Sequence, residues 1–580
     1  MSKPTLLRRI ADLNPGENAL HRSVHAGLDL QTTLTESCKT CPKPLWFTAF
    51  FDGTGNNYDE DGVNKKGGST DPLKTKYSNI AKLAHFAHIE NVPTAQTQFF
   101  YAQGVGTPCK EIGDTGKGQD LAMGMAAAAK GADRIALMFK KLEEFVNPKM
   151  PFVNQINIAV FGFSRGATQA RAFVRMLGEK LADWNGNELL WKQPGLNGKR
   201  PVVVVYFVGL FDTVSSTGFG GGKAEAVAKY AVPATLNALP GGIVLGSVAG
   251  GVLRGLDKGG HAVWANDLAI PPYVRRCVHY VAGHEVREKF PSDSIRRNRV
   301  LPDNSVEWVF PGMHSDVGGG YAASDPAYQE GRSNELARIP LNLMYIEAYK
   351  AGVPLDEPSV VMARAGALFS ISPELERTFV NYMGAEPEWV KGSLETGIIW
   401  HMQRYYEWRE SRRRRMKDGR LKVAVSDPYM AITDSEWESD VMAIASAQTG
   451  YFKSAVGVQK SAIFDAYKHK LLSTMKPEER ADFDLFFDKY VHDSIAGFKK
   501  QMRDAGAAVA LTELSRWSIN RKYFVGKRDG RFMYWRYESD GTAYADVKFD
   551  DTNVNENYDS VEAKRARQGA IEAREYGRTR

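Results

Sequence analysis

The chain has 580 residues, 43% hydrophobic and 25% charged, with a formal net charge of +7. That composition suits a soluble globular protein of more than one domain and excludes disordered and fibrous classes. The basic residues are dispersed apart from Arg412-Arg413-Arg414-Arg415, so a dedicated nucleic-acid binder is excluded and no nucleic-acid partner is expected. Four cysteines are too few for a disulfide scaffold. Cys38-x-x-Cys41 lacks the second pair that a zinc site needs, and no metal or cofactor is expected.

In chain order, Met1 to Asp12 shows no apolar signal core, so no cleavable secretory signal is read there. Residues 1–42 form a polar, irregular arm. Strand-like apolar runs follow at Trp46 to Phe51, Gln98 to Tyr101, Ile156 to Phe161, Val202 to Phe211, Val274 to Val281 and Val306 to Phe310. Helical patterns at Ile80 to Ile89, Leu121 to Phe145, Ala167 to Leu177 and Leu336 to Lys350 fall between or after them. Alternating strands and helices predict an α/β fold, a parallel sheet spanning residues 43–352 in the manner of an α/β-hydrolase.

An insert at 218–260 interrupts this region. Tyr230 to Leu253 carries no charge and is dense in glycine; it reads either as a buried helix and loop or as a mobile apolar lid over a lipid site. Residues 353–580 form a second, mainly helical module, with long charged and aromatic segments at Trp400 to Arg415 and Pro477 to Met502. The arginine run reads as a solvated helix face, with docking on anionic lipid or on a partner as the sharper alternative. Asp529-Gly530 between Tyr523-Phe524-Val525-Gly526-Lys527-Arg528 and Arg531-Phe532-Met533-Tyr534-Trp535 predicts a small C-terminal hairpin.

Gly162-Phe163-Ser164-Arg165-Gly166 lies directly between an uncharged β-branched run and a helical pattern. A serine hydroxyl is a poor nucleophile, and a tight strand-to-helix turn exposes it to a base. Ser164 is therefore the candidate nucleophile. Asp212 follows the strongest strand at its carboxyl end, where ligand sites of parallel sheets lie, and is the candidate acid. Histidines at 261, 279, 284 and 314 could serve as base; His314 is preferred because it sits in a glycine-rich loop after a strand, with His284 next.

The oxyanion hole would draw on the N–H of Arg165 and on the loop Asp52-Gly53-Thr54-Gly55-Asn56-Asn57, with Gly53 and Thr54 as donors and Asp52 bracing the loop. Asp-Gly-Thr also opens haloacid-dehalogenase-type phosphatases. Their pattern places another aspartate two positions earlier, where this chain has Phe50.

Together, Phe51-Asp52-Gly53-Thr54-Gly55-Asn56-Asn57, Tyr101-Ala102-Gln103-Gly104-Val105-Gly106-Thr107, Gly162-Phe163-Ser164-Arg165-Gly166-Ala167, Phe211-Asp212-Thr213-Val214 and Gly312-Met313-His314-Ser315-Asp316-Val317-Gly318-Gly319-Gly320-Tyr321 resemble the ordered motifs of the first family of type VI secretion lipase effectors. The resemblance covers about Trp46 to Gly352. It implies a Ser164, Asp212 and His314 triad in an antibacterial phospholipase A acting on the phospholipid membrane of a neighbouring cell. It further implies synthesis in the bacterial cytoplasm, loading on a VgrG-like secretion spike protein, delivery to the target-cell periplasm and neutralisation by a cognate immunity protein. The alternatives are a soluble intracellular carboxylesterase and a non-catalytic binding protein that keeps a hydrolase shell.

Overall fold

The computed structural model describes residues 9–10, 13, 43–62, 75–88, 97–117, 130–214, 263–265, 267–285, 290, 292–297, 301–321, 333–385, 394–421, 434, 475–493, 532–536 and 544–548. Most of the arm, the apolar insert with His261, and the Asp529-Gly530 turn lie outside these residues.

Six parallel strands make the body of the main sheet: β1 (Lys43–Phe51), β2 (Thr97–Ala102), β3 (Val153–Phe163), β6 (Val202–Phe211), β7 (Cys277–Ala282) and β9 (Ser305–Phe310). Their spatial order is β2-β1-β3-β6-β7-β9. All six were expected from sequence, because strands covered on both faces read as continuous apolar runs. The chain runs from β1 outward to β2 and then back across to β3. The order therefore reverses at β1, and the crevice at the carboxyl ends of β1 and β3 is the natural binding position of such a sheet. Two short strands, β4 (Ala182–Trp184) and β5 (Leu189–Trp191), add an antiparallel extension on the amino end of β6.

Two hydrophobic layers cover the sheet. One holds Leu45, Phe47, Ala49 and Phe51 of β1 with Ile156, Ile158 and Val160 of β3, under helices α1 (Gly131–Val146) and α2 (Arg165–Lys180). The other takes Phe50, Phe161, Phe163, Phe207 and Phe211. A register shift in β6 skips Tyr206, so Val203 and Val205 face the first layer while Phe207 and Phe211 face the second. One extra residue thus changes which parity of β6 is turned toward each helix layer.

The second layer continues without a break into the C-terminal helices. Beyond the short helix α3 (His314–Gly318), it runs through α4 (Arg338–Ala351), α5 (Pro358–Phe369), α6 (Pro373–Gly384), α7 (Leu394–Lys417) and α8 (Pro477–Lys489), with Ile398, Trp400, Tyr405, Trp408, Phe486 and Phe487 buried in it. Ile10 of the arm is buried there too, its N–H donated to Asn342. Among the described residues no helix is long and apolar enough to cross a membrane.

Near the chain's end β10 (Phe532–Arg536) pairs antiparallel with β11 (Tyr544–Lys548) and parallel with β8 (Ser292–Arg297), while the turn expected at Asp529-Gly530 lies outside the described residues. One expectation needs correction. The arginine run is not simply a solvated face: each of its four side chains pairs with an acidic residue, Arg412 is buried, and Arg414 stays exposed. Arg412 bonds to Asp434 and Asp488, Arg415 to Asp484 and Asp488, and Arg413 and Arg414 to Glu410. Desolvation pushes the Asp488 carboxyl upward, but the hydrogen bond from Arg415 and the charges of Arg415 and Arg412 outweigh it and hold the group below its ordinary value. Replacing Arg412 by Met keeps the apolar stem but leaves Asp434 and Asp488 short of a counter-charge in a largely buried place. We expect a loss of roughly 2–4 kcal/mol, read as a lower urea midpoint. An unchanged midpoint would mean that solvent already screens the network.

Candidate active site

Ser164 joins β3 to α2 with φ 57° and ψ −127°, a backbone region that side-chain-bearing residues rarely enter. Its N–H donates to Phe211 O at 3.0 Å, and its carbonyl accepts from Ala167 and Val214. The turn needs its flanking glycines. A Cβ on Gly166 would lie 2.3 Å from Phe51 O, and one on Gly162 would lie 2.5 Å from Gly166 O. β3 and β6 are paired so that Phe163 faces Phe211. The residues that follow them, Ser164 and Asp212, therefore stand side by side at the carboxyl edge.

Asp212 also has positive φ, 42°. Its carboxylate is fully buried between two partners: Oδ1 accepts from Ala282 N at 2.9 Å, and Oδ2 accepts from His314 Nδ1 at 2.5 Å. That bond fixes the tautomer of His314, leaving Nε2 as the basic nitrogen. The His314 ring packs on Phe163, the residue before Ser164, with centroids 4.6 Å apart, and on Phe290 at 4.9 Å. Gly318 fits edge-on against the same Phe163 ring, where a Cβ would come within 1.9 Å. Gly318 thus lets the loop after His314 approach Phe163 closely.

The other two described histidine candidates are packed. His279 on β7 donates from Nδ1 to Glu307 and accepts the Thr213 N–H at Nε2. It therefore steadies the residue after Asp212. His284 accepts the Gly312 N–H and meets His401 O and Tyr382 on its other nitrogen; burial drives its pKa down to about 3, so it stays neutral.

Arg165 is the first residue of α2, so its N–H lies in the turn where helical donors lack intrahelical acceptors. In the loop after β1, Gly53 donates its N–H to Asp52 Oδ1 at 2.7 Å. Thr54 Oγ1 is buried with no hydrogen-bond partner among the described residues. Asp52 braces this loop as expected: its N–H donates to Ala102 O, and its other carboxylate oxygen takes the Tyr101 hydroxyl. Burial raises the Asp52 carboxyl to about 6, against the opposing hydrogen bonds of Ser78, Tyr101 and Gly53.

Sequence reasoning missed the groups that hold this frame. Arg171, inside the elbow helix, is buried and bonds to Leu268 O, Asp293 O and Ser294 O, with Asp293 as its counter-charge. Asp293 N in turn donates to Thr213 O. Glu285 and Asp316 accept the N–H groups of His314 and Met313. Only the Asp316 of the Gly312 to Tyr321 motif carried any sequence signal. Among the described residues no cluster of side chains is arranged to hold a metal ion.

A family model described as the type VI secretion system phospholipase effector Tle1-like catalytic domain matches residues 47–180 and 190–347. A crystal structure of an uncharacterized protein from Pseudomonas aeruginosa is similar at 22% identity, covering 84% of this chain and 67% of that one, with a TM-score of 0.50. At that identity the likeness concerns the fold alone. A structure of the Tle1 effector bound to the VgrG spike of the type VI secretion system is similar at 19% identity over 60% of this chain and 79% of that one, with a TM-score of 0.36. No curated protein matches. The matched segments span both sides of the site, from the loop after β1 to the helix that begins at His314, and the chain belongs to the family of Tle1-like phospholipase effectors of type VI secretion.

Proposed function

We propose that this chain is a serine-dependent phospholipase A that cleaves acyl esters of glycerophospholipids. The observation that carries the reading is the buried Asp212–His314 pair set beside the strained Ser164 turn. Ser164 Oγ attacks the ester carbonyl while His314 Nε2 takes its proton, and Asp212 stabilises the imidazolium that forms. The tetrahedral oxyanion takes hydrogen bonds from the N–H groups of Arg165 and Thr54. Gly53 would contribute its N–H only by giving up its bond to Asp52, so we assign it the lesser part. His314 then returns the proton to the departing lysophospholipid oxygen, and water attacking the acyl-enzyme through the same base releases a fatty acid.

Membership of a type VI secretion effector family supports the rest of the reading. The protein is made in the bacterial cytoplasm, rides on a VgrG-like spike and acts on the membrane of a neighbouring cell from its periplasm. A cognate immunity protein protects the producer.

Purified protein incubated with a phospholipid carrying different acyl chains at its two positions should release fatty acid, identified by mass. Ser164→Ala should lower the rate by roughly 10³- to 10⁶-fold and Asp212→Asn by about 10⁴-fold, since Asn stabilises the wrong tautomer. Unchanged release by Ser164→Ala would end the proposal. Turnover of soluble short-chain esters but not of bilayers would favour the intracellular carboxylesterase instead. Absence of both activities, with no fluorophosphonate labelling of Ser164, would favour the non-catalytic shell.

Asp52 gives a pH signature for the oxyanion loop. Its native pKa of about 6 lies above its ordinary value of 3.8, so the folded state binds this proton more tightly than the unfolded chain. The carboxyl therefore withdraws stability as pH rises from about 4 to 6. Asp52→Asn should gain on the wild type across that window, by up to about 3 kcal/mol, in melting curves taken at successive pH values. Parallel curves for the two proteins would show that Asp52 titrates normally.

A further inference from the structure

Behind the Asp212–His314 pair stands a second buried His–Asp pair whose histidine comes from the far end of the chain. Asp316 lies on α3 two residues after His314, and it is buried together with His492, which follows α8. Asp316 Oδ1 accepts from His492 Nδ1 at 2.6 Å. Asp316 Oδ2 accepts the backbone N–H of His492 at 3.0 Å and that of Met313 at 2.9 Å. The His492 ring packs on Tyr321, at the end of the same glycine-rich loop, with centroids 4.3 Å apart. The segment carrying His492 is itself tied down: Lys489 O accepts from Ser333 N, Tyr490 donates to Glu374, and Asp493 accepts from Tyr405.

We infer that His492 is a positioning residue for catalysis: through Asp316 it fixes the Met313–His314 backbone, so the site is complete only when the segment after α8 is seated. This rests on the reading of His314 as the base. A carboxylate this buried must be matched by donors. His492 supplies two of the three that Asp316 uses, and the third is the N–H directly before His314. If the ring donor is removed, Asp316 has to turn outward or take up a proton, and either change loosens its hold on Met313 N. A shift of about 1 Å in a catalytic group can cost on the order of 100-fold in rate.

The test uses full-length protein and an ester substrate, with kcat, KM and melting temperature measured for His492→Asn and His492→Gln. An asparagine amide can place its N–H where Nδ1 stands, whereas a glutamine amide reaches to the position of Nε2. We expect Asn to keep kcat within about 3-fold of wild type and Gln to lose roughly 10- to 100-fold, with KM unchanged in both and melting temperatures alike. Equal kcat values for the two variants, or a higher value for Gln, would overturn the inference. So would a loss of kcat in both that follows their melting temperatures, since His492 would then be a packing residue. His314→Ala is measured alongside: if it keeps full activity, the base assignment itself has failed and the inference falls with it.

Discussion

The left-handed backbone at Ser164 is the constraint on which the rest of the site depends. Holding a non-glycine residue at φ 57° costs on the order of 1–3 kcal/mol, and the cost is met by bonds and contacts that only this sheet supplies. Phe211 O takes the Ser164 N–H from the neighbouring strand, and Val214 N returns to the Ser164 carbonyl. Gly166 brings α2 to within contact of the β1 carbonyls. Because those same bonds tie Ser164 to the segment around Asp212, the strained turn and the Asp212 carboxylate cannot be placed independently. Asp212 is itself one of only four non-glycine residues with positive φ among those described.

Burial then decides what this geometry can do. Asp212 and His314 face each other where almost no water reaches, so the hydrogen bond between them is weakly screened. The same low dielectric makes every unmatched polar group expensive, which explains why the buried polar groups near Asp212 come in bonded sets. Arg171 with Asp293, and Glu307 with His279 and Arg296, hold β8 and the Thr213 backbone. Glu307 shows the balance: burial raises its carboxyl, but His279, Arg296 and the Ile295 N–H together bring it below the ordinary value.

The parallel strands and the elbow were legible in the sequence because each is written locally. Short uncharged apolar runs rich in β-branched and aromatic residues read as strands by their length, and Gly162 and Gly166 flank Ser164 at the turn. What was illegible depends on partners far along the chain. Ser292-Asp293-Ser294-Ile295-Arg296-Arg297 has no apolar run that would mark a strand, yet it is β8, and its Asp293, Ser294 and Arg296 side chains are matched by Arg171 and Glu307. Arg412 and Arg415 looked solvent-facing because Asp484 and Asp488 stand some seventy positions later. The skipped Tyr206 breaks the alternation of β6, which no period-two pattern anticipates.

The continuous second hydrophobic layer bears on how the helices after Gly352 relate to the catalytic sheet. Val309 of β9 accepts at its carbonyl from His401 on α7, and His284, beside the Gly312 turn, meets Tyr382 on α6 and the His401 carbonyl on α7. Burial holds both histidines in the neutral form, so these are uncharged links and carry no salt dependence. They join the helices to His284 and to Val309, while His492, after α8, bonds to Asp316. The loop bearing His314 is thus held by both parts of the chain: Asp212 and Phe163 of the sheet region meet the His314 ring, and His492 meets Asp316 two residues on.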